Sequence, residues 1–209
     1  MIPRAITPAL IALALAACTG GEPGDNASDA TLNEQQRAAM EHRAPDGEKV
    51  RAERWMSIFR SPDAVLAAAA DMGYQSHPYT EGRESFGTGY SPEQTLPEGD
   101  SPVKITTAFR VVGVGPEQIT DIAFTFDIKG DFDAPKAKDA LAIPRRIIAG
   151  FLGRFEVGPG DEIADALRNL TSAEASQYGV LLNVDAVPGA TDSEKRLIVT
   201  ISRATAPTD

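Results

Sequence analysis

Two runs of strict alternation constrain this chain more than any other feature. Val103, Ile105, Thr107, Phe109 and Val111 are separated by Lys104, Thr106, Ala108 and Arg110. Ile122, Phe124, Phe126 and Ile128 alternate in the same way with Ala123, Thr125 and Asp127. A period of two sends successive side chains to opposite faces of a strand, so each run reads as a strand with one face in a core and one in water. A helix would scatter the same residues around its circumference. The short link through Gly113 to Pro116 joins the runs as an antiparallel pair. One face of that pair is a band of branched and aromatic side chains, and something else in the chain must cover it.

The best cover is the middle section. Asp133-Ala-Pro135 opens it, with Asp133 as helix N-cap, and Pro144 predicts a kink or two short helices. Ile147, Ile148, Phe151, Leu152 and Phe155 then form the strongest amphipathic stripe in the protein. "GPGDEIADALRNL" opens another helix near residue 160, and "SAEASQYG" adds its last turn. Ahead of the strands, "EKVRAERWMSIFR" places Val50, Trp55, Ile58 and Phe59 near one helical face. Ser61-Pro62-Asp63 has the cap, first-turn proline and acid of a helix start, and Gly73 ends that helix.

Residues 74–90, with Pro78, Gly82, Gly87 and Gly89, read as an edge strand or edge hairpin, and residues 91–102 as a loop. Val180, Leu182, Val184 and Ala186 share a face of one closing strand, and Leu197, Val199 and Ile201 share a face of the other. The expected order is therefore α-α-β-β-β-α-α-β-β. Strands and helices segregate, which predicts an α+β fold: an antiparallel sheet of about four to five strands with helices on one face.

The first residues have a different logic. Met1-Ile-Pro-Arg carries one positive charge, and Ala5 to Ala17 is almost entirely Ala, Leu and Ile. That run is too short to cross a ~30 Å hydrocarbon layer as a helix, and it reads as a secretory signal. Leu15-Ala16-Ala17-Cys18 resembles the lipobox of bacterial lipoproteins. The resemblance implies cleavage before Cys18 and lipid on its sulfur and new amino group. It covers only the first 18 residues or so, and no family is recognised for the folded domain. Cys18 is the only cysteine, so an internal disulfide is impossible. An unpaired thiol in an oxidising compartment is a liability, which favours the lipidated reading. The implied chains would hold the protein to a membrane permanently, since two or more acyl groups anchor stably where one does not. Thr19 rather than Asp follows the cysteine, which in the family pattern points to the outer membrane, facing the periplasm.

Four regions are expected on this basis: a signal peptide over 1–17, the lipidated cysteine and a flexible acidic tether over 18–47, one α+β domain over 48–205, and a disordered tail over 206–209. The tether is rich in Gly, Pro, Asp, Asn and Ser, and buries too little to offset its ordering entropy. Its reach is roughly 30 Å. The chain's formal charge is −10, and losing residues 1–17, with Arg4 and no acid, makes it −11. Nucleic acid and anionic headgroups repel such a body, so no nucleic-acid partner is expected.

Chemistry-bearing patterns are sparse. The two histidines, His42 and His77, have no partner at ligand spacing, so no metal is expected. Asp127, Asp131 and Asp133 lack the spacing of a calcium loop and read as a turn plus a helix cap. Gly158 to Gly160 could receive an anion at a helix start, but Asp161 already brings a negative charge there. No G-x-S-x-G, S-x-x-K or phosphate-loop signature occurs. Arg145, Arg146 and Arg154 flank the apolar stripe; they could grip an acidic partner, but lying over the core edge is the plainer role. Trp55 is read as core before binding anchor.

These observations predict a cell-envelope lipoprotein that is not an enzyme and needs no cofactor. Its contacts are expected to be the membrane, through Cys18, and another envelope protein. A carboxylate-using hydrolase and a carrier of a small apolar ligand between sheet and helices are the alternatives.

Overall fold

The computed structural model describes residues 47–81 and 86–204. The signal, Cys18, His42, almost all of the tether and the tail over 206–209 lie outside the described residues.

Residues 47–57 form helix α1, which buries Trp55 and leads into a turn that buries Ile58 and Phe59. Val50 does not join that face; it is 44% exposed. Helix α2 (Pro62–Asp71) starts as its sequence demands: the Ser61 side chain accepts from the Ala64 amide, Pro62 fills the first turn and Asp63 meets the positive helix end. Gly73, at φ +95°, turns the chain out of it.

Two short edge strands come next, β1 (Phe86–Tyr90) and β2 (Gln94–Leu96). Both pair with β3 (Val103–Gly115), β1 along its second half and β2 along its first. The stretch 91–102 is therefore not loop throughout. Three residues flanked by Pro92 and Pro97 give no alternation to read, and it is the edge of β3 that recruits them. Strand β4 (Gln118–Gly130) returns antiparallel after the turn at Pro116 and Glu117. In both long strands the predicted residues are buried, including Thr107 at 1% exposure.

Helices α3 (Ala137–Leu141) and α4 (Ile143–Gly153) are the two short helices that Pro144 predicted. Asp133 is not the cap. Lys136 precedes α3 with no side-chain cap bond, and the Asp133 amide instead donates to the Asp131 carboxylate at 3.1 Å, a local turn.

Helix α5 (Gly160–Asn169) ends at Leu170, whose φ of 53° is left-handed, and the Thr171 amide closes back on the Ala166 carbonyl. The next segment is no helical turn but strand β5 (Ala173–Gln177), paired with β6 (Val180–Pro188). Tyr178 and Gly179, at φ 51° and 80°, make the two-residue turn between them. Two consecutive positive φ values are what a tight hairpin needs, and a glycine supplies one cheaply. Strand β7 (Glu194–Arg203) completes the fold.

The sheet runs β1-β3-β4-β7-β6-β5, with β2 beside β1 on the same edge of β3. Among the described residues it is antiparallel throughout, with seven strands where four to five were expected. One face carries the core. Phe151 of α4 stands edge-on to Phe124 with ring centroids 5.1 Å apart, and Phe109 and Phe155 surround it at 6.3 and 5.5 Å. The stripe on α4 is thus the cover that the hairpin required. Tyr74 joins this cluster from the segment after α2, 5.8 Å from Phe109 and 5.7 Å from Phe124. Its hydroxyl bonds Thr107 Oγ1 at 2.6 Å, which satisfies both buried oxygens. Burial pushes the Tyr74 phenol up to about 12, and the Thr107 bond pulls weakly the other way.

Candidate functional site

The second face of the sheet mixes short and polar side chains, Thr106, Ala108, Ala123, Thr125, Thr200 and Ser202, with half-buried Leu181 and Ile198, and Arg110 and Asp185 are exposed among them. Asp127 and Arg196 sit opposite each other in the register and form a two-pronged ion pair at 2.5 and 2.9 Å. The Asp127 carboxylate raises the Arg196 guanidinium above its usual value, through the hydrogen bond first and charge second. A hollow of about 490 Å³ opens beside this pair, lined by Glu93, Thr106, Lys129 and Glu194 among others. Lys129 and Glu194 are themselves paired at 3.3 Å, so opposite charges balance across the hollow.

On the helical side, α3 and α4 are rich in cations, whereas α2 and α5 are acidic. Between residues 134 and 154 the chain has five cations, Lys136, Lys138, Arg145, Arg146 and Arg154, against one acid, Asp139: a net +4 in a chain of −10. Arg154 reaches Asp71 at 2.8 Å and ties α4 to α2. Arg146 donates to the Asp139 carbonyl at 3.2 Å and borders a hollow under the 97–102 segment. Arg145 points elsewhere. With Lys138 and with Arg168 of α5 it rims a hollow of about 370 Å³ floored by Leu141 and Ala142. Among the described residues neither Lys138 nor Arg145 has a carboxylate within ion-pair distance, while Arg168 reaches Asp165 of its own helix.

Residues 138, 141, 142 and 145 recur at helical spacing, and they share a face because the backbone stays helical through the junction of α3 and α4. The Ala142 amide donates to the Lys138 carbonyl and the Arg146 amide to the Ala142 carbonyl, both at 3.1 Å. The break falls at Ala142, and Pro144, which has no amide to donate, sits in the first turn of α4, so the face stays closed. Sequence reasoning picked out Arg145 and Arg146 but not Lys138 or Arg168. The spacing of Lys138 and Arg145 was a usable signal; the approach of Arg168 is tertiary.

The other singled-out residues are dispersed. His77 is exposed, its ring 4.4 Å from that of Tyr90. Asp127 lies on the open sheet face, whereas Asp131 and Asp133 belong to the link into α3. No group of three or more His, Cys, Asp or Glu side chains gathers at metal-holding distance among the described residues. Gly160, at φ +77°, begins α5, with Asp161 and Glu162 in its first turn. Trp55 is 3% exposed and part of the core. No helix among the described residues is long and apolar enough to cross a membrane. Comparison with family models, with curated proteins and with solved structures finds no match to this chain.

Proposed function

We propose that this chain is a lipid-anchored protein of the bacterial cell envelope whose α+β domain is a non-catalytic binding module for another envelope protein. Cys18 is the anchor, and the acidic segment 18–47 is the spacer that holds the domain away from the membrane. With Thr19 after the cysteine, the membrane is the outer one and the domain faces the periplasm.

The observation that carries the binding role is the cationic surface on α3 and α4. A positive patch on an otherwise negative body orients an incoming acidic partner and speeds its capture. Other features agree with a binding role rather than catalysis or small-molecule carriage. Asp71, Asp127, Asp165, Glu156 and Glu194 each face an Arg or Lys partner. The space between sheet and helices is filled by the rings of Tyr74, Phe109, Phe124 and Phe151.

Crosslinking in native membranes, with mass spectrometry of the captured proteins, tests the reading. The wild-type chain should capture a defined partner, and Arg145→Glu with Arg146→Glu should lose it while the chain stays in the membrane fraction. Capture unchanged by that reversal would count against the cationic surface. Cys18→Ala should release the chain and abolish fatty-acid labelling; a variant that stays membrane-bound and labelled would rule out the anchor.

A further inference from the structure

We infer that the hollow between α3, α4 and α5, rimmed by Lys138, Arg145 and Arg168 and floored by Leu141 and Ala142, takes an acidic peptide segment in which an apolar side chain lies between carboxylates. This deepens, and rests on, the reading of the domain as a protein-binding module.

The hollow holds about 370 Å³, which suits one or two side chains. Its floor is aliphatic and its rim cationic, so a purely polar anion would leave the floor unused and a purely apolar group would meet three cations. An apolar side chain flanked by Asp or Glu satisfies both. The rim draws on all three helices, since Lys138 stands on α3, Arg145 on α4 and Arg168 on α5. Carboxylates arriving from different directions along an extended segment can therefore each find a donor. The two guanidinium groups favour carboxylates, whose two oxygens match their paired N–H donors. Arg168 is paired with Asp165 of its own helix, so Lys138 and Arg145 are the rim's cations without a carboxylate partner among the described residues.

The chemistry also selects among polyanions. A nucleic acid or an anionic bilayer is a wide array of charge and would bring the acidic remainder of the body close to it. Asp133, Asp139, Asp161 and Glu162 all lie on the same run of helices and links as the hollow. A narrow peptide needs only the short rim at Lys138 and Arg145, where neither cation has a carboxylate within ion-pair distance among the described residues.

The test is a titration of the chain as cleavage would leave it, residues 18–209 with Cys18→Ala so that no lipid is attached, nitrogen-15 labelled, with a pentapeptide of sequence Gly-Glu-Leu-Glu-Gly. Amide shifts should map to Lys138, Leu141, Ala142, Arg145 and Arg168 and saturate. A peptide with Gln for both Glu, and one with Gly for the central Leu, should each bind at least about tenfold more weakly. Lys138→Glu with Arg145→Glu should weaken binding by a similar factor. Arg110→Glu, a charge reversal on the exposed strand face, should not. Equal loss with Arg110→Glu, or equal binding of the Gln peptide, would overturn the inference. So would shifts that appear only after residues 19–46 are deleted, because the occupant would then be the chain's own acidic segment. If membranes yield a partner sensitive to Arg145 and Arg146 but the peptide moves other amides, the binding-module reading stands and the hollow does not. If the peptide maps to the hollow and membranes yield no partner, the reverse holds.

Discussion

Phe151→Ala separates a core role for the α4 stripe from a docking role. Phe151 is fully buried between Phe109, Phe124 and Phe155. Removing its ring forfeits about 1.5–3 kcal/mol of apolar burial. The edge-on contact with Phe124 adds about 0.5–1.5 kcal/mol. The sheet below cannot collapse into the space, since Phe109 and Phe124 are fixed in paired strands, so a cavity cost is added and the total comes to about 3–5 kcal/mol. A domain of ordinary stability has about 5–15 kcal/mol in all. At about 2–4 °C per kcal/mol for a chain of this size, the melting temperature should fall by about 6–20 °C. Differential scanning calorimetry of the full chain reads this directly. Phe151→Leu keeps most of the volume and should lose much less. Val114→Ala, at a site 67% exposed, should stay within ~0.5 kcal/mol of wild type. A Phe151→Ala variant that melts within about 2 °C of wild type would sink the claim that this stripe covers the sheet.

Tyr74 should make the fold sensitive to alkali. Its phenol holds its proton to about 12 when folded and ~10 when unfolded, so its contribution is complete below pH ~10 and is lost as pH rises from ~10 to ~12. That is about 3 kcal/mol in order of magnitude. Urea midpoints across that window should fall for wild type, and Tyr74→Phe should flatten the fall, while at pH ~8 it costs about 1–3 kcal/mol because Thr107 Oγ1 is left buried without its partner. Gly130→Ala should be among the most damaging small substitutions. At φ +138° any side chain is strained, and its Cβ would strike the Pro102 carbonyl and lie 2.8 Å from Val103 Cα; soluble yield and thermal melting would reveal an error if both match wild type. Ser61→Ala removes the acceptor for the Ala64 amide and should cost about 1 kcal/mol, or about 2–4 °C, with Ser61→Asp restoring it.

What the sequence revealed depended on whether each element was specified by its own residues or by a neighbour. The strands β3 and β4 were legible because alternation over nine and seven residues has one explanation, and α2 because Ser61, Pro62, Asp63 and Gly73 each act locally. Strand β5 was not. Ala173, Glu174, Ala175 and Gln177 favour a helix by intrinsic preference, and the edge of β6 overrides them with backbone hydrogen bonds. The turn at Tyr178 and Gly179 was the local clue, and a glycine there serves equally well as the end of a helix. Asp133 shows the opposite error: a local preference for capping was available, but the chain used Asp131 to build a turn and began α3 three residues later than the cap required. The cationic hollow combines both limits. Pro144 read as an interruption divides Lys138 from Arg145, yet a proline near the start of a helix has no amide bond to lose, so the face continues across it. Arg168 arrives from a different helix, and its position is set by how Ile163 and Leu167 seat α5 in the core. A surface built in that way leaves only half its signature in the sequence, which is why reversing Lys138 and Arg145 together, rather than the Arg145 and Arg146 pair that adjacency suggests, is the substitution that isolates the hollow from the rest of the helical face.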